Sequence, residues 1–465
     1  MVNIIQQICE NMVKSITKIL KEEENLNISN LFPVILEECK RTSLEIAKEY
    51  INDLNLEIRK DKIKRKKDGL VLKEKDLNRK LITCLGEIEY KRDLYLNKNN
   101  REYVKPVDVI FGVTPYERIS KDIKAELVDK ATFLSYEKSK ELVGIPNISR
   151  QSVRNAILKS NLKISNKRKN KEKKQVKNLH IYADEDHVHL QKQNKSKGKA
   201  NQIVPLVTIT EGTESIYKSR RKTINPYHIV NNKFDTEALW ESVDKYIQNN
   251  YDVKGIENIY LHADGGKWIK NGLEDYAQKT FVYDGFHIKK YISIIKKCTN
   301  SVNSKRIEAL IKSNDREGMK ILLSKVCDDV ENEKSKKKCI NASNYILNNW
   351  EGIVNRYILD VPGSCTEGQI SHILSSRFSR NPMGWSKEVL GKLSELRVYR
   401  KNGNKIDLNI YSNNDESEYS ECTFKTRNKL DWSIFDKNEF IFDESSSTRN
   451  ILKYIGSTKI NILDN

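Results

Sequence analysis

The stretch IENIYLHADGGKWI (residues 256–269) is the most informative part of the sequence for the fold. Residues 256–263 form a short apolar run of the kind found in buried strands, and Asp-Gly-Gly then gives a tight turn. A helix is predicted to follow at 267–278. A buried strand that ends in an acid and leads into a helix is typical of an α/β sheet.

The flanking segments extend this pattern on both sides. Before the stretch, 179–191 alternates as a strand, 203–210 and 215–229 are strand-like, and 234–249 is helical. After it come a strand at 280–283, a helix at 286–297, a polar helical region at 300–358 and a helix at 364–377 that follows a Pro-Gly turn. Three strands in series, followed by alternating helix and strand, predict an α/β domain at 179–400.

The N-terminal half is predicted to be mostly helical. Amphipathic helices are expected at 2–25 and from about residue 29, and a strand at 83–96. Helices at 121–133 and 136–143 are followed by a turn containing Gly144, and a third helix begins after Ser149 as N-cap. Two helices joined by such a turn have the helix-turn-helix layout, whose second helix enters the major groove of DNA.

The third helix of that module supplies candidate DNA contacts. Its periodicity turns Val153, Ala156 and Ile157 inward. Residues 163–177 then contain eight Lys or Arg and almost nothing apolar, which predicts a flexible basic linker along a phosphate backbone. The DNA-binding candidates on the helix and the linker are Arg150, Gln151, Arg154, Lys159, Lys167, Arg168 and Lys169.

Composition points to a nucleic-acid partner. The 465 residues include 83 Lys or Arg and 64 Asp or Glu, so the net charge is +19, which favours a polyanion. No apolar run approaches the ~20 residues that span a bilayer, and the N-terminus has no signal-peptide pattern. We therefore expect a cytoplasmic, nucleoid-associated protein without a membrane partner.

Three acidic positions are placed as metal ligands would be. Asp184 lies in the first strand of the α/β domain, Asp264 ends a buried strand, and Glu367 follows the Pro-Gly turn. Acids at the carboxyl ends of neighbouring strands face one crevice, and carboxylate oxygens suit Mg²⁺. Two ions ~3.5–4 Å apart activate a nucleophile and stabilise the leaving oxygen of a phosphodiester.

Four segments around these acids resemble one protein family. IYADEDHVHLQ (181–191), NIYLHADGGKWI (258–269), FVYDGFHIKKYI (281–292) and GSCTEGQISHILSSRFSRNPMGWS (363–386) are similar to bacterial insertion-sequence transposases of the DDE type, closest to the ISLre class and more distantly to Mutator-like enzymes. GEIEYKRDLY (86–95), GVTPYERIS (112–120) and NISRQSVRNAI (147–157) resemble the N-terminal region of that family. The resemblance covers roughly residues 80–400.

The resemblance implies an RNase H-like catalytic core interrupted by a helical insertion, which would be 300–358. It places the catalytic and metal-binding triad on Asp184, Asp264 and Glu367, with Mg²⁺, or Mn²⁺ as a substitute. The implied reaction is hydrolysis at the ends of the element, followed by attack of the freed 3′-hydroxyl on target DNA. Double-stranded DNA would be the partner, and a homodimer or larger oligomer would join two ends.

Several assignments stay open from the sequence. Asp186 lies on the same side of the strand as Asp184 and is an alternative first ligand. Asp284 competes with Asp264, or supports the site together with His287, and Arg377 is a candidate phosphate contact. A non-catalytic DNA-binding regulator, an inactive copy and a nuclease that cuts without joining are the alternative functions.

The sequence thus predicts five regions in order. They are a helical N-terminal region (1–80), a strand with the helix-turn-helix-like module (81–162), the basic linker (163–178), the α/β domain (179–400) and a polar tail (401–465).

Overall fold

A computed structural model of the chain describes residues 2–22, 27–162, 172–191, 201–217, 220–298, 304–363, 365–381 and 383–411. These residues belong to one compact unit. Among them, no helix is both long enough and apolar enough to cross a membrane.

Two long helices open the chain, as the periodicity predicts. The second begins after Asn27, whose side chain accepts hydrogen bonds from the backbone N–H groups of Ser29 and Asn30. The helices and strands up to the linker are α1 (Val2–Glu22), α2 (Ile28–Lys60), α3 (Lys62–Lys67), β1 (Leu70–Thr83), β2 (Gly86–Asn97), β3 (Tyr103–Val104), α4 (Pro106–Ile110), α5 (Lys121–Ala131), α6 (Tyr136–Val143) and α7 (Arg150–Lys159).

The prediction of a purely helical region at 1–80 is wrong at its end. Strand β1 begins at Leu70 and pairs antiparallel with β2. Its middle is polar and exposed, so it lacks the apolar alternation that identifies a half-buried strand. Its partner β2 carries that alternation and packs Ile88 and Tyr90 into a small core with Val107.

The three helices and the turn predicted for the helix-turn-helix-like module are present. Gly144 ends α6 with φ +69°, a conformation that glycine adopts without strain. The Ser149 hydroxyl accepts a hydrogen bond from the Ser152 N–H at 3.1 Å and starts α7. The three inward residues predicted for α7 are all buried.

A five-stranded mixed sheet forms the centre of the second half, in the order β10-β9-β4-β5-β8. Strands β4, β5 and β8 pair antiparallel in series, and β9 and β10 run parallel to β4 on its other side. The strands and helices of this part are β4 (Asn178–His189), β5 (Asn201–Thr210), β6 (Thr213–Tyr217), β7 (Arg220–Thr223), β8 (Tyr227–Ile229), α8 (Thr236–Asn250), β9 (Asn258–Ala263), α9 (Lys267–Lys270) and β10 (Lys279–Tyr283).

Both faces of the sheet are covered by helices, which makes β4 a buried central strand. Helix α8 packs Leu239 and Val243 against one face. The other face shares a core with α5 and α7, which contribute Leu127 and Ile157, and with a C-terminal helix that contributes Leu393. The helix-turn-helix-like module and the sheet are therefore built around a common hydrophobic cluster.

The predicted helix at 267–278 is wrong beyond its first turn, because α9 ends at Lys270. The backbone at Gly272 lies against the Trp240 ring so closely that a Cβ there would sit 2.3 Å from Trp240 Cε2. Leu273 follows with φ +56°, which a helix does not permit. The strand-like run at 215–229 is likewise three short strands, β6 to β8, rather than one.

The helical region predicted at 300–358 is confirmed, and within the described residues it consists of four helices that follow α10. Its core includes Cys339 and Ile346 and continues to the end of β10 at Tyr283. The remaining helices of the described residues are α10 (Gly285–Cys298), α11 (Ser304–Lys312), α12 (Arg316–Asp328), α13 (Glu333–Asn348), α14 (Trp350–Ile358), α15 (Thr366–Ile370), α16 (Ser376–Phe378) and α17 (Lys387–Lys401), with a π-helical turn between α15 and α16.

The linker and the tail are only partly described. The last linker residues are fixed rather than flexible, because Lys174 exchanges backbone hydrogen bonds with Asn250 and Asp252 at 2.9 Å. The start of the predicted polar tail packs inward, and the Tyr411 hydroxyl donates to the Ala156 carbonyl at 2.9 Å. Residues 163–171 and 412–465 lie outside the described residues.

Candidate active site

Three aspartates lie level with one another at one edge of the central sheet. The parallel register pairs Tyr182 with His262 and Tyr283 with Ala263. Continuing that register sets Asp184, Asp264 and Asp284 beside each other, on strands that are about 4.8 Å apart. The structure therefore brings together both candidates for the second acid and the preferred candidate for the first.

Asp184 is the half-buried centre of this group. Burial, helped by the negative charges of Asp264, Glu367 and Asp284, raises the pKa of Asp184 to about 7. The Glu185 N–H donates to Asp184 Oδ1 at 2.8 Å and opposes that rise. All three other acids thus act on Asp184 electrostatically, so the predicted triad and Asp284 share one site.

Glu367 enters from α15, and its side chain is 54% exposed. Its Oε1 lies 3.9 Å from His287 Nε2 on α10, a helix that starts directly after Asp284. His287 therefore sits next to the third acid, where a positive charge would offset part of the repulsion among the carboxylates.

The second acid is held from two directions. Asp264 Oδ1 accepts a hydrogen bond from the Gly266 N–H at 3.1 Å, and Gly265 between them has φ +93°. The Tyr345 hydroxyl of the helical insertion donates to the Asp264 carbonyl at 2.7 Å. The insertion consequently fixes the backbone that carries Asp264.

Asp284 is more enclosed than Asp264. It is 2% exposed, and its Oδ1 accepts a hydrogen bond from the Phe286 N–H at 2.8 Å, which caps the start of α10. One oxygen is therefore engaged with the backbone, whereas Asp264 is half-buried beside the crevice. This difference favours Asp264 as the second ligand and Asp284 as a support.

Asp186 is occupied elsewhere. The Ser379 hydroxyl lies 2.9 and 3.0 Å from its two oxygens, and burial raises its pKa while hydrogen bonds from Ser379 and Ser375 lower it. Both serines lie beyond Glu367, on the turn and helix that follow α15. Asp186 thus ties β4 to the segment after the third acid.

The four acids are not in metal-ligating geometry as they stand. Within the described ranges, no three His, Cys, Asp or Glu side chains are close enough to hold a metal ion. The donor set itself is composed of carboxylates, which hard divalent cations prefer. A cation among them would remove the repulsion that raises the pKa of Asp184.

Sequence reasoning missed the aromatic and thiol groups behind the acids. Burial raises the pKa of both Tyr182 and Cys365, whose side chains interact with each other behind the acids. The Tyr182 ring stacks on His262 at 4.5 Å. The strand alternation could have placed Tyr182 on the Asp184 face, whereas no local pattern connects Tyr345 to Asp264.

The DNA-binding candidates are spread over different environments. Arg150 and Lys159 are exposed, and Arg150 Nε lies 3.3 Å from Glu137 Oε2. Gln151 donates to Asn155 at 3.0 Å on the same exposed side of α7. Arg154 is half-buried rather than fully outward. Lys167, Arg168 and Lys169 lie outside the described residues.

Arg377 is not at the acids. It is 4% exposed, its Nε donates to the Ala131 carbonyl at 2.9 Å, and its guanidinium lies 4.7 Å from the centre of the Trp385 ring. It belongs to the junction between the helix-turn-helix-like module and the sheet.

Residues 21–412 match a family described as the uncharacterised protein family UPF0236. The chain belongs to this family. A UPF0236 protein of Caldanaerobacter subterraneus subsp. tengcongensis is 37% identical over 407 residues, which cover 86% of this chain and 84% of the relative. A second UPF0236 protein of that bacterium is 37% identical over 384 residues, with 82% and 80% covered.

Among solved structures, the Drosophila P element transposase strand transfer complex is similar at 12% identity, over 76% of this chain and 95% of that chain. The TM-score is 0.21, so this likeness is too weak to bear on fold or function.

Proposed function

We propose that this UPF0236 chain is the DDE transposase of an insertion sequence of the ISLre class. It would cut DNA at the ends of the element and join the freed 3′-hydroxyl to target DNA. The observation that carries the proposal is the placement of Asp184, Asp264 and Glu367 around one crevice of the central sheet, where their charges act on one another. Double-stranded DNA, Mg²⁺ or Mn²⁺ and a second copy of the chain are the proposed partners, in the bacterial cytoplasm.

The strand arrangement supports an RNase H-like core. Three antiparallel strands in series, β4, β5 and β8, are followed by β9 and β10 running parallel to β4 on its opposite side. The first acid then lies on the central strand and the second on its parallel neighbour. The helical bundle between β10 and Glu367 lies where the resemblance expects an insertion.

Charge and the N-terminal module support a DNA substrate. The net charge of +19 favours association with a polyanion. Helix α7 carries Arg150, Gln151 and Lys159 on its exposed side, as a recognition helix would.

The names of two relatives suggest that genes of this family occur in many copies within one bacterium. One UPF0236 relative carries eleven locus labels of a single genome in its name, and another carries four. Many near-identical copies in one genome are what a mobile element leaves behind.

Asp184, Asp264 and Glu367 are the residues that would hold the divalent cations. When bound, such ions activate a water or a 3′-hydroxyl and stabilise the leaving oxygen of the phosphodiester. The Gly266 N–H holds the Asp264 carboxylate, and Tyr345 holds the Asp264 backbone carbonyl, before substrate arrives. His287 beside Glu367 can donate a hydrogen bond to that carboxylate or to a phosphate oxygen.

The test is an incubation of purified protein with labelled DNA that carries candidate element ends, in Mg²⁺. The wild type should nick the ends and give joined products, and Asp264→Asn should lose both by about 10²-fold or more while DNA affinity is retained. Asp186→Asn is the matched control, because that carboxylate is held by Ser379 outside the acidic group, and it should retain most activity.

Other products would assign other functions. Metal-dependent cuts without joining would favour a nuclease, and tight binding with neither product would leave a DNA-binding regulator or an inactive copy. Cleavage that persists in Asp264→Asn would remove the assigned triad.

A further inference from the structure

A cavity of about 510 Å³ lies where the helix-turn-helix-like module meets the sheet domain. We call it the arginine cavity, since Arg154 of α7 and Arg377 of α16 both line it. Its volume falls within the range of about 300–1,000 Å³ typical of ligand pockets. It is lined on one side by the module and on the other by the segment that precedes α17.

The first turns of three separate helices line the arginine cavity. Ser135 and Tyr136 are the N-cap and first residue of α6, Gln151 is the second residue of α7, and Ser386 is the N-cap of α17. Helix N-termini present unpaired N–H groups and the positive end of the helix dipole. Three of them around one cavity favour an anion, although Glu137 and Glu388 in the first turns of α6 and α17, outside the lining, oppose part of this effect.

The two arginines add full charges to this potential. Arg377 is 4% exposed, and among the described residues its only hydrogen bond is from Nε to the Ala131 carbonyl, so no carboxylate neutralises it. Burial lowers the pKa of Arg377 to about 10, which still leaves it charged at neutral pH. Arg154 is half-buried and has no ion pair within the described part of the chain.

No acidic residue balances these charges in the lining. The described residues around the arginine cavity include no Asp or Glu, and the remaining wall is polar or apolar, with Gln191, Met383 and Trp385. Arg377 has the Ala131 carbonyl and the Trp385 ring as neutral partners, and an anion would add the opposite charge that a buried cation favours. The cavity therefore has the charge of a binding site that an external anion completes.

We propose that the arginine cavity binds a phosphodiester group of a DNA strand and so couples α7 to the catalytic half of the chain. This proposal rests on the proposed function, because it takes DNA to be the substrate. The Arg154 and Arg377 guanidinium groups would bind the phosphate oxygens, with the N-terminal N–H groups of the three helices beside them. The apolar wall would accept the adjoining sugar or base.

The test combines protein substitutions with substitutions of single DNA phosphates and measures the affinity for duplex DNA that carries an element end. EDTA is present so that no cleavage occurs. Neutral methylphosphonates replace single backbone phosphates, one position at a time, and affinity is measured for wild type, Arg154→Gln and the control Lys245→Gln. Lys245 is an exposed lysine of α8 that pairs with Glu241 at 3.3 Å, away from the lining of the cavity.

At one position, the methylphosphonate should lower the DNA affinity of the wild type about tenfold. At the same position it should lower the DNA affinity of Arg154→Gln by less than about twofold, because the variant has already lost that contact. Lys245→Gln should respond as the wild type does. Arg377→Met, checked for its melting temperature, should lose sensitivity at the same position. If Arg377→Met does not fold, Arg154→Gln still decides the result.

Equal weakening of wild type and Arg154→Gln at every position would overturn the proposal. The proposal would also be overturned if inorganic phosphate at matched ionic strength competes with DNA while no methylphosphonate position is coupled to Arg154, that is, affects the wild type more than Arg154→Gln. That result would assign the cavity to a free anion. Because no cleavage is measured, the outcome is separate from the proposed function. A coupled position in a chain that never cuts DNA keeps this inference and removes the transposase assignment.

Discussion

Asp184 and Asp186 lie two positions apart on the same strand and are in different environments. Asp184 is close to three other acids and is half-buried, whereas both oxygens of Asp186 are bound by a serine hydroxyl. The sequence places both side chains on one face of β4 but contains no information on what approaches that face. Asp264 and Asp284 reach that face from the ends of β9 and β10, and Glu367 and Ser379 reach it from segments more than 180 residues later.

The raised pKa of Asp184 predicts a pH-dependent cost to stability in the metal-free protein. The pKa is about 7 in the folded chain and 3.8 in the ordinary state. Between these values the folded chain keeps a proton that the unfolded chain has released, so the free energy of unfolding falls as the pH rises from about 4 to 7. Asp184→Asn removes this dependence and should stabilise the metal-free protein at pH 8 by on the order of 2 kcal/mol.

Urea denaturation at pH 5 and pH 8 in EDTA measures this effect. Glu241→Gln is the control, because Glu241 is exposed on α8 and should change stability by less than about 0.5 kcal/mol. An Asp184→Asn variant that is less stable than the wild type at pH 8 would contradict the raised pKa.

At the scale of elements, glycine conformation separates two positions that look alike in sequence. Gly144 has φ +69° and open space around its Cα, so alanine there meets backbone strain alone. Gly368 lies in the short helix α15, also in open space, without a positive φ. Gly144→Ala should lower the free energy of unfolding by about 1 kcal/mol, and Gly368→Ala should leave it unchanged or raise it by up to about 1 kcal/mol.

Chemical denaturation of the two variants beside the wild type gives both values. Equal effects of the two substitutions would mean that the turn after α6 does not require a left-handed residue.

Elements with a local cause could be predicted from the sequence, and those set by distant packing could not. Gly144 and Ser149 encode the end of α6 and the start of α7 in their own chemistry, and both are confirmed. Helix α9 stops after one turn because Trp240, about 30 residues earlier, occupies the space beside Gly272. Strand β1 is polar and exposed in its middle, so only its pairing with β2 identifies it there.

At the scale of the whole molecule, the helix-turn-helix-like module is part of the same core as the sheet. Ile157 of α7 is fully buried in a cluster that also contains Leu206 of β5 and Leu393 of α17. Sequence composition marks a boundary at the basic segment 163–178, but hydrophobic contacts cross that boundary. Contacts between distant segments leave no trace in either segment alone, which is why the sequence suggested separate regions.

The shared core predicts that damage in α7 destabilises the sheet as well. Ile157→Ala should lower the free energy of unfolding by about 2–4 kcal/mol in one cooperative transition, because it leaves a cavity in the common cluster. Tryptophan fluorescence and circular dichroism in urea should shift together. Leu142→Ala is the control, since Leu142 of α6 is 63% exposed.

Two separated unfolding transitions in Ile157→Ala, one of them leaving the tryptophan signal of the sheet unaffected, would contradict the prediction of a single cooperative transition. Such a result would mean that the module unfolds independently of the half that contains the sheet.

Strand β4 runs from the acidic crevice towards the arginine cavity as a single extended segment, and it therefore fixes the distance between the two. Asp184 lies near the middle of β4, and Leu190, which follows the last residue of β4 and bridges to Trp385 in the cavity wall, lies six residues further on. At about 3.3 Å per residue, the distance between these two residues is roughly 20 Å. One strand of B-DNA advances about 3.4 Å per nucleotide, so the interval equals about six nucleotides. On the two proposals made above, a phosphate held in the cavity would lie about six nucleotides from the phosphodiester at the acids, whatever the bases in between.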